Sequence, residues 1–187
     1  MDPDQAVGFQ FHPTDEQLIH HYLNLKNLGF DDRVTNIGEI EICNFEPWQL
    51  PERAVTPTND YTWYFFTRPD YRYTNSRRAN RITNGGYWKV IGKARKIVDG
   101  NNDEIGTKKT LVFLQGNVPK GVKTNWVIHE YHSNMNNSDQ RDFVLCRLKK
   151  KPGGHFDDAI DEEGQPIQHN VAQQIDPQLH GDNLESQ

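Results

Sequence analysis

Six short segments rich in Val, Ile, Thr and aromatic residues constrain this chain most, because each is bounded by Gly, Pro, Asn or Asp. Such segments are typical of β-strands separated by turns. We predict strands at Tyr61–Phe66, Tyr87–Ile91, Lys96–Val98, Thr107–Leu114, Asn125–Tyr131 and Phe143–Leu148. Residues 99–102 and 134–138 have the composition of hairpin loops. The predicted fold class is α+β, with an antiparallel sheet and helices at its flanks.

One helix is predicted before these strands. Thr14-Asp15-Glu16-Gln17 has the pattern of a capping box, in which the Thr14 side chain accepts from the backbone N–H of Gln17 and Gln17 reaches back. Three apolar residues follow at helical spacing: Leu18, Tyr22 and Leu25. Gly29 is a typical stop, so we predict a helix over residues 15–27. The segment Pro47–Pro51 predicts a short helical turn that Pro51 ends.

Charge is segregated along the chain, although the net charge is only −5. Residues 68–123 carry a net charge of +9, whereas residues 1–67 and 152–187 each carry −8. A basic block of this size favours a polyanionic partner. An equally open interpretation is a solubilising surface that faces the acidic N-terminal third.

Composition excludes several classes of protein. Two cysteines, Cys43 and Cys146, cannot make a disulfide framework or a four-ligand zinc site, and they indicate a reducing compartment. The chain has no signal peptide pattern and no apolar run of the ~20 residues that cross a membrane. No catalytic constellation, metal site or cofactor motif stands out, so we predict a non-enzyme without a cofactor. We expect a folded domain at 7–151 and a disordered acidic tail at 152–187.

The basic block contains the candidate site. Arg77, Arg78 and Arg81 lie in a loop with three asparagines and can place guanidinium groups along a phosphate backbone. In the following extended segment, Lys89, Ile91 and Lys93 share one face, whereas Trp88 and Val90 point towards the core. A strand edge of this kind can enter the major groove of DNA. The alternative is an ordinary amphipathic strand with solvated lysines.

Five ordered blocks make the sequence resemble the plant NAC-domain family over about residues 8–151. They are GFQFHPTDEQL (8–18), EPWQLP (46–51), WYFF with NR and GYWK (63–66, 80–81, 86–89), KKTLVF with PKG and KTNWVIHEY (108–113, 119–121, 123–131), and FVLCRL (143–148). The resemblance implies a twisted antiparallel sheet packed between helices, with a DNA-reading strand similar to that of WRKY domains but without their zinc. It also implies a nuclear transcription regulator that binds double-stranded DNA as a dimer.

The resemblance implies DNA contacts for Arg78, Arg81, Lys89, Lys93, Lys120 and Lys123. With the residues that the basic block itself suggests, the expected DNA-binding residues are Arg77, Arg78, Arg81, Lys89, Ile91, Lys93, Arg95, Lys96, Lys120 and Lys123. The expected dimer-interface residues are Val7, Gly8, Phe9, Gln10, Thr14 and Gln17. Partners are double-stranded DNA and a second copy or a NAC relative, with no membrane.

Two departures from the family pattern bear on these expectations. Val90 and Ile91 stand where the family usually has Ala and Thr, which predicts a shifted DNA sequence preference. Gln10 and Gln17 stand where the family has an inter-subunit Arg–Glu pair, which predicts weaker dimerisation because both charges are absent. About 36 residues follow Lys151. The alternative function is therefore an interaction module that pairs with full-length relatives and blunts their activity.

Overall fold

The structure is a computed structural model that describes residues 10–69, 81–135 and 141–153. These residues all belong to the compact unit Met1–Gly153. The expected boundary of the folded domain and the expected disorder of the tail stay predictions, because residues 154–187 lie outside the described part. Within that part, no helix is long and apolar enough to cross a bilayer.

A six-stranded sheet forms the centre of the described structure. Its strands are β1 (Gly38–Glu39), β2 (Thr62–Thr67), β3 (Gly86–Val98), β4 (Glu104–Gln115), β5 (Val122–Ser133) and β6 (Val144–Lys150). Their spatial order is β1-β2-β6-β5-β4-β3. Every pairing is antiparallel except that of β1 with β2. The predicted α+β class is confirmed, with one parallel pair added to the expected antiparallel sheet.

Two strand assignments differ from the prediction. The segments Tyr87–Ile91 and Lys96–Val98 are parts of the single strand β3, which is continuous through an irregularity between Ile91 and Arg95. Strand β1 has only two residues and no alternating pattern, so its pairing opposite Phe65 and Phe66 depends on tertiary packing.

The sheet is covered on both faces where β2 and β6 lie. On one face, which we call the helix face, Leu18, Ile19 and Leu23 of the helical segment pack on a cluster that includes Tyr64 and Phe66. The opposite face carries the larger cluster: Ile42, Leu50, Trp63, Phe65, Trp88, Leu111, Phe113, Trp126, Ile128, Val144, Cys146 and Leu148. Burial on both faces explains why all six residues of β2 are buried.

The helical segment, α1, consists of α-helical Asp15–Gln17, π-helical Leu18–Leu23 and α-helical Asn24–Asn27. Its predicted bounds are confirmed, but its buried face differs. Leu18, Ile19 and Leu23 are fully buried, whereas the predicted Tyr22 and Leu25 are only half-buried. The reason is the π-helical stretch, whose wider turns shift the residues that face the sheet.

Four single 3₁₀ turns complete the chain between α1 and β2: Asp31–Arg33, Ile42–Asn44, Pro47–Gln49 and Pro51–Arg53. The predicted turn at Pro47 is present. The prediction that Pro51 ends it was wrong in detail, because Pro51 starts the next turn at the first position, where a missing N–H costs nothing.

Asp15 attaches α1 to the helix face of the sheet. Its Oδ2 accepts from Lys108 Nζ at 2.7 Å, and its Oδ1 accepts from the Tyr131 hydroxyl at 2.6 Å and from Arg147 at 3.5 Å. Burial alone would raise the pKa of Asp15. The hydrogen bonds from Lys108 and Tyr131 outweigh that effect and lower the pKa below its ordinary value of 3.8. The carboxylate is therefore a charged anchor between two layers.

We expect Asp15→Asn to lower the free energy of unfolding at pH 7 by about 1–3 kcal/mol, because two charge-assisted hydrogen bonds lose their acceptor charge. Since the folded pKa is depressed, this stabilisation is fully present above the unfolded value of 3.8 and is lost as the pH falls through the lower folded pKa. Urea unfolding at pH 7, 5, 4 and about 3 should show the difference between wild type and variant shrinking with acid.

The matched control is Glu16→Gln. Glu16 is an exposed carboxylate in the same first helical turn, so the variant shares the effect on the helix dipole. The anchoring role would be contradicted if Glu16→Gln lowered the free energy of unfolding as much as Asp15→Asn. It would also be contradicted if the difference between wild type and Asp15→Asn did not change with pH.

Candidate nucleic-acid interface

The predicted DNA-reading segment lies on an edge strand. β3 is the last strand in the sheet order and pairs with β4 on one side only. Its outer edge is covered at the start, where Trp88 N donates to Arg81 O at 2.8 Å and Ile82 bridges to Tyr87. From Lys89 onwards, no other strand of the described residues pairs with this edge.

Side-chain alternation along β3 holds only as far as Ile91. Trp88 is buried in the large cluster, whereas Lys89 is exposed and Ile91 packs beside Tyr87 on the helix face of the sheet. Val90 faces the same way as Trp88, as predicted, and lies opposite Leu111 of the large cluster. It is nevertheless 37% exposed, so it is not a core residue.

Gly92 lies at the irregularity in β3. Its φ is +65°, and the register passes from Ile91 opposite Thr110 to Arg95 opposite Lys108, which leaves three residues of β3 facing Lys109 alone. This geometry is a β-bulge, which bends a strand and re-aims its side chains. Lys93 lies inside the bulge, so the simple alternation that grouped it with Lys89 and Ile91 does not apply to it.

Exposed cations continue along β3. Lys93, Arg95 and Lys96 all have exposed side chains. Lys96 Nζ lies 2.7 Å from Glu104 Oε2 across the β3–β4 hairpin. That hydrogen bond raises the pKa of Lys96 and lowers the pKa of Glu104. Lys96 therefore contributes less net positive charge to the surface than its neighbours.

The hairpin between β4 and β5 adds two lysines at the start of β3. Gly116 N donates to Gly85 O at 2.8 Å, and a Cβ at Gly121 would lie 2.8 Å from the Tyr87 ring. The hairpin therefore packs directly against the beginning of β3. Lys120 and Lys123 are exposed on it. Residues separated by about 30 positions in the chain thus join one cationic surface.

Arg81 is attached to the sheet beneath. Its Nη2 lies 3.4 Å from Glu130 Oε1, and its side chain is 23% exposed. His132 Nε2 lies 2.6 Å from the same oxygen. Burial alone would raise the pKa of Glu130, but His132 and Arg81 outweigh that effect and lower it. Arg81 therefore has a structural contact as well as an exposed part.

Glu130 was missed in the sequence, although a signal was present. The predicted strand places Glu130 in alternation with Trp126 and Ile128, which means a carboxylate on a core-facing side. A charge in that position needs a cationic partner. The pattern could have identified the need for a partner, but not that Arg81 supplies it.

Several predicted residues lie outside the described part of the chain: Arg77, Arg78, Val7, Gly8 and Phe9. The remaining dimer candidates are near the start of α1. The capping box is confirmed, since Gln17 N donates to Thr14 Oγ1 at 3.1 Å and Thr14 N donates to Gln17 Oε1 at 2.9 Å. Gln10 Oε1 lies 3.0 Å from His12 Nε2. The acceptor oxygens of both glutamines are thus used inside this chain.

The two histidines of β5 face opposite sides of the sheet. His129 Nδ1 lies 3.3 Å from Thr110 Oγ1, whereas His132 contacts Glu130 on the other face. Among the residues described, no three His, Cys, Asp or Glu side chains are grouped so that they could hold a metal ion.

Comparison with known proteins gives consistent matches over this region. The family model described as "No apical meristem (NAM) protein" matches residues 6–133. NAC domain-containing protein 45 of Arabidopsis thaliana is 44% identical over 150 residues, which are 77% of this chain and 31% of that protein. NAC domain-containing protein 69 of the same plant is 47% identical over 148 residues, 78% of this chain and 32% of the relative. NAC domain-containing protein 96 of Arabidopsis thaliana is 43% identical over 150 residues, which are 77% of this chain and 51% of that protein. The chain spans about a third to a half of the length of these relatives.

We expect Gly92→Ala to lower the free energy of unfolding by about 1–2 kcal/mol, because a Cβ is disfavoured at positive φ. Crowding does not contribute, since an added Cβ at Gly92 meets no atom within 4 Å. Chemical denaturation measures the loss. Gly100→Ala is the matched control, because its Cβ also meets nothing within 4 Å and its φ is not in the left-handed region. Equal effects of the two variants would show that the bulge conformation is not responsible.

Proposed function

The chain belongs to the NAC-domain family of plant transcription factors, whose members carry a DNA-binding domain, and from this premise we propose that it is a sequence-specific regulator. In this proposal β3 enters the major groove of double-stranded DNA in the nucleus. The observation that carries it is the position of β3, a strand with exposed cations at one edge of the sheet, whose outer side beyond Trp88 pairs with no strand among the described residues.

The edge position supports groove entry on steric grounds. The major groove is about 12 Å wide and admits a strand or a two-stranded ribbon. An inner strand is blocked by its neighbours, whereas from Lys89 onwards β3 pairs with β4 alone among the strands of the described residues. Lys89 can then meet guanine acceptors, and the exposed part of Ile91 can contact a thymine methyl group.

The other cations fit contacts to the phosphate backbone. Lys93 and Arg95 lie at and beyond the bulge, and Lys120 and Lys123 lie on the hairpin that packs against the start of β3. Together they flank Lys89 on both sides along the sheet. We assign Arg78 the same role from the family resemblance, and Arg77 from the Arg- and Asn-rich composition of its segment. Arg81 combines a contact to the backbone with its attachment to Glu130.

A structural explanation of the same lysines exists. Edge strands commonly carry lysines because charge prevents edge-to-edge aggregation. That explanation accounts for Lys89 and Lys93 but not for Lys120 and Lys123, which lie on a hairpin beside the edge strand. The convergence of both groups at one end of the sheet favours a polyanionic ligand.

Dimerisation with a second copy or a NAC relative is part of the proposal, through residues 7–10, Thr14 and Gln17. The specific observation is that both glutamines are neutral and already hydrogen-bonded within the chain. This favours a dimer held mainly by contacts other than a charged pair, and hence a weaker one. The alternative function, an interaction module that pairs with relatives and blunts them, would appear as heterodimers that form while the chain itself prefers no duplex.

We expect Lys89→Gln and Lys93→Gln each to weaken duplex binding about tenfold at physiological salt. For a phosphate contact, the slope of log affinity against log salt should become shallower by about 0.9. Fluorescence anisotropy over a salt series measures both quantities. Arg33→Gln is the charge-matched control, since Arg33 is exposed on a 3₁₀ turn beyond the end of α1. If Arg33→Gln lost as much duplex affinity as the two lysine variants, the change in net charge alone would explain the result.

We expect Ile91→Thr to change which duplexes are bound more than how tightly the best one is bound, because a hydroxyl replaces an apolar contact to a base edge. Selection from random duplexes, run in parallel for wild type and variant, measures the preference. Thermal unfolding is recorded as well, since Ile91 also packs beside Tyr87. Identical preferences in two folded proteins would show that Ile91 does not face the bases.

A further inference from the structure

We propose that Glu46 is a positioning residue that fixes the turn from which β3 leaves the body of the protein, and that through this turn it sets the fit of the strand to DNA. The inference rests on the proposed function. Glu46 belongs to the acidic N-terminal third of the sequence and is not one of the residues expected to bind DNA.

Both carboxylate oxygens of Glu46 contact the turn at residues 83–86. Oε1 accepts from Gly85 N at 2.7 Å, and Oε2 accepts from Thr83 Oγ1 at 2.8 Å. Hydrogen bonds to an ionised acceptor are stronger than neutral ones. One side chain therefore holds two points of the turn immediately before β3 begins at Gly86.

The carboxylate is itself held in place. Glu46 N donates to Gln49 Oε1 at 2.9 Å, which fixes Glu46 at the start of the Pro47–Gln49 turn. Trp48, two residues further along, packs edge-on against Phe113 with ring centroids 6.1 Å apart. Phe113 also packs against Trp88 of β3 at 5.1 Å. The segment that carries Glu46 is thus attached to the same part of the sheet that β3 joins.

The turn has little freedom of its own at its far end. Thr83 N donates to Gly86 O at 2.9 Å, and Gly86 N donates to Thr83 Oγ1 at 3.0 Å. A Cβ at Gly86 would lie 2.3 Å from Leu114 O, so the backbone runs directly against β4. Gly85, in contrast, is exposed. The carbonyl of Gly85 accepts from Gly116 N at 2.8 Å, and its N–H is restrained by the bond to Glu46.

The sign of the effect on DNA binding separates positioning from electrostatics. Removing a carboxylate close to a DNA-binding surface strengthens binding by long-range attraction. Loss of positioning weakens it, because a binding group must be held within about 0.5 Å of its productive place. The two explanations therefore predict opposite changes for the same substitution.

The experiment compares Glu46→Gln, Glu46→Asp and Glu52→Gln by anisotropy titration of the best selected duplex, each over a salt series. We expect Glu46→Gln to weaken binding about tenfold although a negative charge is lost. Glu46→Asp keeps the charge but is one methylene shorter, and we expect it to weaken binding as well. Neither should change the salt slope, because no phosphate contact is removed.

Glu52→Gln is the matched control. Glu52 is exposed on the adjacent turn Pro51–Arg53, so the variant removes the same charge from the same region without touching residues 83–86. We expect its affinity to be unchanged or slightly higher. Thermal unfolding confirms that each variant is folded at the temperature of the titration.

A second measurement does not depend on DNA. Amide hydrogen exchange of Gly85 and Trp88 should accelerate in Glu46→Gln and stay unchanged in Glu52→Gln. Wild-type affinity or tighter binding in Glu46→Gln, or unchanged exchange at these amides, would overturn the positioning role. Absence of any duplex preference in the wild type would instead overturn the proposed function, while the exchange result still decides whether Glu46 holds the turn.

Discussion

The described structure depends on the asymmetric covering of one sheet. β2 and β6 are buried between α1 on one face and the 3₁₀ segments on the other, so their apolar residues contribute to the clusters on both faces. β3, at the opposite side, still contributes Trp88 and Ile97 to these clusters, but among the described residues no strand pairs with its outer edge beyond Trp88. The same arrangement therefore supplies stability at β2 and β6 and an accessible cationic strand at β3.

Three carboxylates connect the layers to this sheet. Asp15 joins α1 to β4, β5 and β6, Glu130 holds Arg81, and Glu46 holds the turn before β3. Buried or half-buried charges of this kind are costly unless their partners are well placed. These three carboxylates fix the positions of separate segments on the sheet. Apolar contacts alone define such positions less precisely, because they have no preferred direction. Glu130 and Glu46 hold the two ends of segment 81–86, which leads into β3: Glu130 contacts Arg81, and Glu46 contacts Thr83 and Gly85.

Much of the fold followed from local patterns. Segments rich in Val, Ile, Thr and aromatic residues between turn residues predicted β2, β4, β5 and β6 to within a few residues, and the capping box predicted the start of α1. The buried face of α1 was not predictable, because its π-helical stretch Leu18–Leu23 leaves no signal in a search for helical periodicity. Strand β1 was missed for a related reason, since two residues carry no pattern.

For the candidate site, the sequence by itself determined which residues are basic, that Lys89 and Ile91 share a face, and that the chain resembles the NAC family. Those properties are local, because they depend on side-chain identity and on the two-residue period of a strand. Only the tertiary structure decided that β3 is an edge strand and that the hairpin with Lys120 and Lys123 packs against its start. It also decided that Glu46 and Glu130 hold the segment that precedes β3. Such contacts join residues distant in the chain, and their formation depends on how the whole sheet assembles rather than on any single segment.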